Sequence, residues 1–130
     1  HGVPILCGSE SGFSVTPYGQ WHYREMEILM KEMGFTALEA IRSSTSVNAF
    51  AMRLEGKIGR IEEGAFADLI IVSGDPIKDI TSLGDLENIK MIMKSGEIQK
   101  FEEEMNRLSI PGWRVVSYGQ ILSKDLVNKK

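Results

Sequence analysis

Apolar and polar positions fall into three regimes along the chain. Val3-Pro4-Ile5-Leu6-Cys7 is a continuous apolar run closed by Gly8-Ser9. It predicts a short strand buried on both faces, the kind found in parallel sheets. Residues 8–20 are rich in Gly, Ser and Pro and read as a loop. From Trp21 to Met33 the spacing turns helical, with Met26, Leu29, Met30 and Met33 at i, i+3, i+4 and i+7, a methionine-rich core face. Gly34 stands where a helix C-cap residue belongs. Thr36 with Glu39 makes a capping box for a second helix, Ala37 to about Arg42, which Ser43 to Ser46 interrupts by local hydroxyl competition. A third short helix follows, with Val47, Phe50, Ala51 and Leu54 spaced for one apolar face.

Beyond Gly56 the pattern changes to turns and short strands. Gly64 marks a turn, and Ala67 to Val72 is an apolar strand led in by Asp68. Gly74-Asp75-Pro76 is another turn, since Pro76 lacks an N–H and restricts Asp75. Ile89 to Lys94 reads as a strand, Ser95-Gly96 turns it, and Glu97-Ile98-Gln99 begins a return strand. In residues 101–130 the pattern predicts a charged helix from about Glu102 to Leu108, a Pro111-Gly112 break and a strand at Trp113 to Tyr118. Glu102-Glu103-Glu104 suits the start of that helix, and the Lys-rich end is expected to fray. There is no internal repeat. One buried strand with three helices leaves apolar faces uncovered, so an independent small α+β domain is the weakest reading.

Composition narrows the function classes. The 130 residues, 42% hydrophobic and 25% charged, suffice for one modest core. A net charge of −3 gives no basic footprint, which argues against nucleic acid. No apolar run approaches the roughly 18 residues that span a bilayer, and no charged-then-apolar leader opens the chain. His1 is an unusual first residue and reads as a cut end. A single cysteine fits a reducing, cytoplasmic compartment. Within its apolar run, Cys7 reads as a small buried hydrophobe rather than a reactive thiol.

The candidate chemistry begins at Glu10, the one carboxylate in Gly8-Ser9-Glu10-Ser11-Gly12 directly after the apolar run. Three further features complete a pattern: the helical Thr36-Ala37-Leu38-Glu39-Ala40-Ile41-Arg42, the stretch Ile58-Gly59-Arg60-Ile61-Glu62-Glu63-Gly64 with Ala67-Asp68-Leu69, and Gly74-Asp75-Pro76. Over about residues 2–100 the chain resembles the C-terminal third of the amidohydrolase superfamily. The likeness is to the group of imidazolonepropionase-like enzymes and metal-dependent Xaa-Pro dipeptidases and carboxypeptidases.

That resemblance implies an α/β fold, a (β/α)8 TIM barrel with a small composite β-sandwich. Residues 1–56 would supply the last barrel strand and helices, 57–100 the sandwich strands, and 101–130 a C-terminal extension. A barrel takes roughly 250 residues, so most of it would lie in a missing N-terminal part or a companion chain. The expected protein is an oligomer acting on a small amide or peptide substrate. Its cofactor would be a divalent metal, zinc by the chemistry of mixed His/carboxylate sites, with the remaining ligands outside this chain.

By the same resemblance Glu10 is the metal and proton-transfer residue, at the C-terminal end of a barrel strand where aspartate is usual. Ser11, Tyr18 and His22 are the candidate substrate-binding residues, and Phe13 either lines the pocket or packs beneath the loop. His22 at a helix start reads equally as a surface or capping residue. Asp68 and Asp75 are read as turn residues whose carboxylates accept backbone N–H groups. The leading expectation is hydrolysis of a C–N bond in an amide, dipeptide or cyclic amide. The alternative is a non-catalytic relative with an assembly role.

Overall fold

Helix α1 runs Trp21–Met33, the span its spacing predicts. Its inward face buries Met26 and Leu29, with Met30 packed beside them. Met33 does not join them; it is 53% exposed. It is the last helical residue, and the chain reverses immediately at Gly34 (φ +72°). Phe35 then donates its N–H to Leu29 O at 3.1 Å and packs against the core itself. The computed structural model describes residues 2–11 and 21–99, so the helix and strand expected within 101–130 lie outside the described residues.

A buried carboxylate on α1 breaks the simple apolar reading of that face. Glu27 is only 8% exposed. It pairs with Arg24 one turn before it, and with Lys31 one turn after it at 2.6 Å. The Lys31 hydrogen bond, aided by Arg24, holds its carboxyl below the ordinary carboxylate range. A buried charge is tolerated only with such partners.

The capping box opens α2 (Ala37–Ser44) as expected. Thr36 Oγ1 accepts from the Glu39 N–H at 3.3 Å, and the Glu39 carboxylate accepts from the Thr36 N–H at 2.8 Å. The helix is longer than expected, and the interruption shrinks to Thr45. The hydroxyls of Ser44 and Thr45 donate to Ala40 O and Ile41 O, at 3.1 and 2.7 Å, so they follow the helix instead of competing with it.

Helix α3 (Ser46–Ala51) is rotated relative to its expected face. Ala49 is buried, whereas Phe50 and Leu54 are exposed. Gly59 shows why the rotation is fixed. With φ +80° it lies so close to the α2–α3 junction that a Cβ would stand 2.7 Å from Thr45 O. The Ile58-Gly59 signature is therefore a packing requirement.

The strands form a three-stranded antiparallel sheet, ordered β1 (Leu69–Val72), β2 (Ile89–Lys94), β3 (Glu97–Gln99). β1 pairs β2 with Ile70 opposite Ile92, and an irregularity falls between Ile71 and Val72. The β2–β3 connection is the two-residue turn Ser95-Gly96, with φ +50° and +85°. Positive φ at both positions is the turn whose twist matches a hairpin.

Between β1 and β2 lie two 3-10 turns, Ile80–Gly84 and Leu86–Asn88, which the sequence pattern did not predict. Asp79 and Asp85 cap them through the N–H groups of Thr81 and Glu87, each at 3.0 Å. The first turn carries Ile80 into the cluster of Met26, Leu29 and Ala40. The segment between β1 and β2 thus packs into the helices' core through Ile80 and Leu83. Full burial of side chains such as Ile80 and Leu29 contributes about 1.5–3 kcal/mol each.

Two outcomes test this packing. Gly59→Ala, which meets both a left-handed φ and a backbone clash, is expected to lose about 2–4 kcal/mol of stability. Gly64→Ala, at φ +88° with open space around it, should lose only about 1 kcal/mol. Urea unfolding of both variants measures the difference, and equal losses would refute the close-approach explanation. For Glu27, a depressed folded pKa means its stabilisation is present above its ordinary value near 4.5 and disappears as pH falls through the lower folded value. Thermal melts of the native protein and Glu27→Gln between pH 2.5 and 6 should therefore converge at the acid end.

Candidate functional site

No strand is assigned within residues 2–10, Ser11 makes a single β-bridge, and Cys7 takes its backbone partners from helices. The expected buried strand is present as a path, with one face covered. Ile5 and Cys7 pack against the core, while Leu6 between them is 44% exposed and Val3, nearer the start, is 76% exposed. A half-buried backbone must find hydrogen-bond partners. Here the Cys7 N–H donates to Ser43 O at 3.4 Å, and Cys7 O accepts from Asn48 Nδ2 at 3.0 Å.

Three residues further on, the segment delivers Glu10. Its backbone lies at φ +44°, in the left-handed region that a residue with a Cβ rarely adopts. The flanking Ser9 and Ser11 hydroxyls share a hydrogen bond of 2.7 Å, drawing the backbone tightly around Glu10. Among the described residues two other non-glycine residues have positive φ, and both have local reasons. Ser95 sits in the hairpin turn, and Arg53 follows α3 with its N–H on Phe50 O at 3.0 Å. Glu10 is held in that conformation between the two linked serines. Strain of this sort, about 1–3 kcal/mol, clusters at functional positions.

The other candidates divide. Ser11 is joined to Ser9, beside Glu10. His22, the second residue of α1, is exposed and lines a hollow of about 150 Å³ together with Cys7, Ser9, Glu25, Ser44 and Asn48. Glu10 is not among the residues lining that hollow, so His22 and Glu10 are not brought to one cavity wall. Tyr18 and Phe13 lie outside the described residues. Burial pushes the Cys7 thiol up, Glu25 adds to the effect and a hydrogen bond with Ser44 opposes it. A protonated, half-buried thiol packed on the core behaves as a small hydrophobe, in line with expectation.

Asp68 and Asp75 take the turn roles read from their settings. Asp68 Oδ1 accepts the Ser95 N–H at 2.6 Å, tying the start of β1 to the β2–β3 turn. Asp75 Oδ1 accepts the Ile77 N–H at 3.1 Å, and its other oxygen pairs with Lys78. Among the described residues no group of three His, Cys, Asp or Glu is placed to hold a metal ion. Zinc needs three or four protein ligands, so Glu10 alone does not constitute a metal site. Asn48 escaped the sequence reading. Its only signal was a polar residue within a short helix whose apolar neighbours drew the attention.

The sequence profile of the Amidohydrolase family matches residues 2–99, and the chain belongs to that family. Among solved structures it is similar to a Xaa-Pro dipeptidase with methionine bound in its active site. That match has 39% identity and a TM-score of 0.65, covering 77% of this chain and 23% of the other. A putative prolidase from Bifidobacterium longum matches at 28% identity and a TM-score of 0.68, over 75% and 23% of the two chains. Molinate hydrolase shares the fold at 21% identity and a TM-score of 0.71, over 89% and 27%. No curated protein matches the chain significantly. The chain thus spans about a quarter of the length of these structures.

The structural role of Asp68 has a measurable signature. Asp68→Ala should cost about 1 kcal/mol, since it leaves the Ser95 N–H to solvent. The loss should appear as faster amide exchange in the β2–β3 turn, with the exchange of residues 5–11 unchanged. Faster exchange at residues 5–11 would instead place Asp68 in the support of the candidate site.

Proposed function

We propose that this chain supplies the final strand-and-helix portion of an amidohydrolase that cleaves a C–N bond in an amide or dipeptide, with Glu10 as its reacting carboxylate. The observation that carries the reading is Glu10 itself, held in a left-handed conformation at the end of an extended segment. In barrel enzymes the ends of such segments carry the reacting groups. Family membership over residues 2–99 and the similarity to a Xaa-Pro dipeptidase support the reaction class and favour a small peptide substrate.

The family's chemistry uses a divalent metal, which lowers the pKa of a bound water toward 7. With one candidate carboxylate, this chain would contribute a single ligand, and zinc remains the ion suggested by a mixed His/carboxylate set. The task of Glu10 is to accept a proton from the attacking water and return it to the leaving amine. Ser11, through its bond to Ser9, steadies the backbone on either side of that carboxylate. The exposed apolar side chains of Val3 and Leu6 are what further barrel elements, or a companion chain, would cover.

Glutamate is one methylene longer than aspartate, which leaves open a non-catalytic assembly role. The experiment addresses both readings. In the complete protein, stripped of metal and resupplied with zinc, hydrolysis of a dipeptide and amide panel is expected. Glu10→Gln should retain the melting temperature within about 2 °C and lower turnover about 10³-fold. Absence of hydrolysis by the zinc-loaded native protein, with no metal retained, would establish the assembly role instead.

A further inference from the structure

The geometry points to Asn48 as a positioning residue for Glu10, acting through the backbone that carries it; this rests on the reading of Glu10 above. Asn48 lies 41 residues from Cys7 in sequence, yet its Nδ2 donates to Cys7 O at 3.0 Å and to Ser44 O at 3.4 Å. An amide NH2 has two donors. Asn48 therefore spans from the extended segment to the end of α2, while its own backbone belongs to α3.

The bond matters because it is the shorter of the two backbone ties at Cys7. The second backbone tie at Cys7, from its N–H to Ser43 O, is longer at 3.4 Å. Side-chain packing of Ile5 and Cys7 fixes how deep the segment lies, but apolar contact is non-directional and does not fix its position along its own axis. A hydrogen bond to a carbonyl supplies that direction. From Cys7 the chain proceeds through Gly8 and Ser9 to Glu10 at φ +44°. A strained conformation persists only where its surroundings over-determine it. The Ser9–Ser11 hydroxyl bond holds it locally, and the Asn48 bond fixes where that local unit sits.

Asn48 is also separable from the core. The buried apolar cluster is Met26, Leu29, Ala40 and Ile80, and the half-buried Asn48 supplies none of its apolar contacts. Loss of its amide should displace the segment without dissolving the helices. A displacement of about 1 Å at a reacting group can cost about 100-fold in rate.

The test uses the complete enzyme with two substitutions, Asn48→Asp, which keeps the shape and removes the donors, and Asn48→Ala. Both are expected to lower kcat about 10–100-fold while KM stays within about threefold. Hydrogen exchange in peptides covering residues 7–11 should rise at least about tenfold, with α1 unchanged. Unchanged exchange at 7–11 overturns the inference, as does a kcat loss that follows general loosening of α1. If Asn48→Ala fails to fold, Asn48→Asp alone decides by the same two measurements. A native enzyme without amide hydrolysis defeats the proposed function only, because exchange at 7–11 still reports whether Asn48 anchors the segment.

Discussion

The candidate site depends on how the backbone at Cys7 is held by the helices packed against it. Half-buried peptide groups need partners, and Cys7 takes both of its own from helices. The Ser43 carbonyl and the Asn48 amide grip Cys7 from its two sides, and Ile5 and Cys7 fill the space above Met26 and Leu29. The helices must themselves be fixed for this grip to have meaning. Gly59 fixes α3 against the α2 terminus by backbone contact, and Ile80 ties α1 and α2 to the segment between β1 and β2. A motif some fifty residues after Glu10 thereby bears on where Glu10 stands.

Much of this fold could be read from local patterns, and the exceptions share a physical cause. The bounds of α1, β2 and β3 follow directly from periodicity, Gly34 and the Ser95-Gly96 turn, because each depends on near neighbours. The capping box at Thr36 and Glu39 is equally local. The face of α3 was misread because its rotation is set by Gly59 and Cys7, both distant in sequence. Residues 3–7 have strand-like composition, yet a ladder requires neighbouring strands, and the surroundings decide the outcome. The 3-10 turns were missed because Asp79 and Asp85 each support only a few residues, too short a span for any period to show.

The site was legible to a similar degree. Glu10 stood out by its place after an apolar run, and the left-handed backbone adds an observation that sequence could not supply. His22 stood out by its type and its place at a helix start, and the structure puts it on a hollow with Cys7, Ser9 and Asn48. Asn48 acts through one hydrogen bond to a main-chain carbonyl, an interaction that leaves no spacing signature.

The acidic residues of this chain show why position outranks residue type. Asp68, Asp75, Asp79 and Asp85 each accept a backbone N–H, and Glu39 completes a helix cap. Such bonds commit the carboxylate to a turn or cap, so its removal loosens local structure. Glu27 is committed in another way, between Arg24 and Lys31 on one helix face. Glu10 differs in its backbone, not in its chemistry: it occupies a left-handed conformation between two linked serines, on a segment anchored by a distant asparagine. The strained backbone where the carboxylate is presented is the physical argument behind the proposal that the chemistry belongs to Glu10.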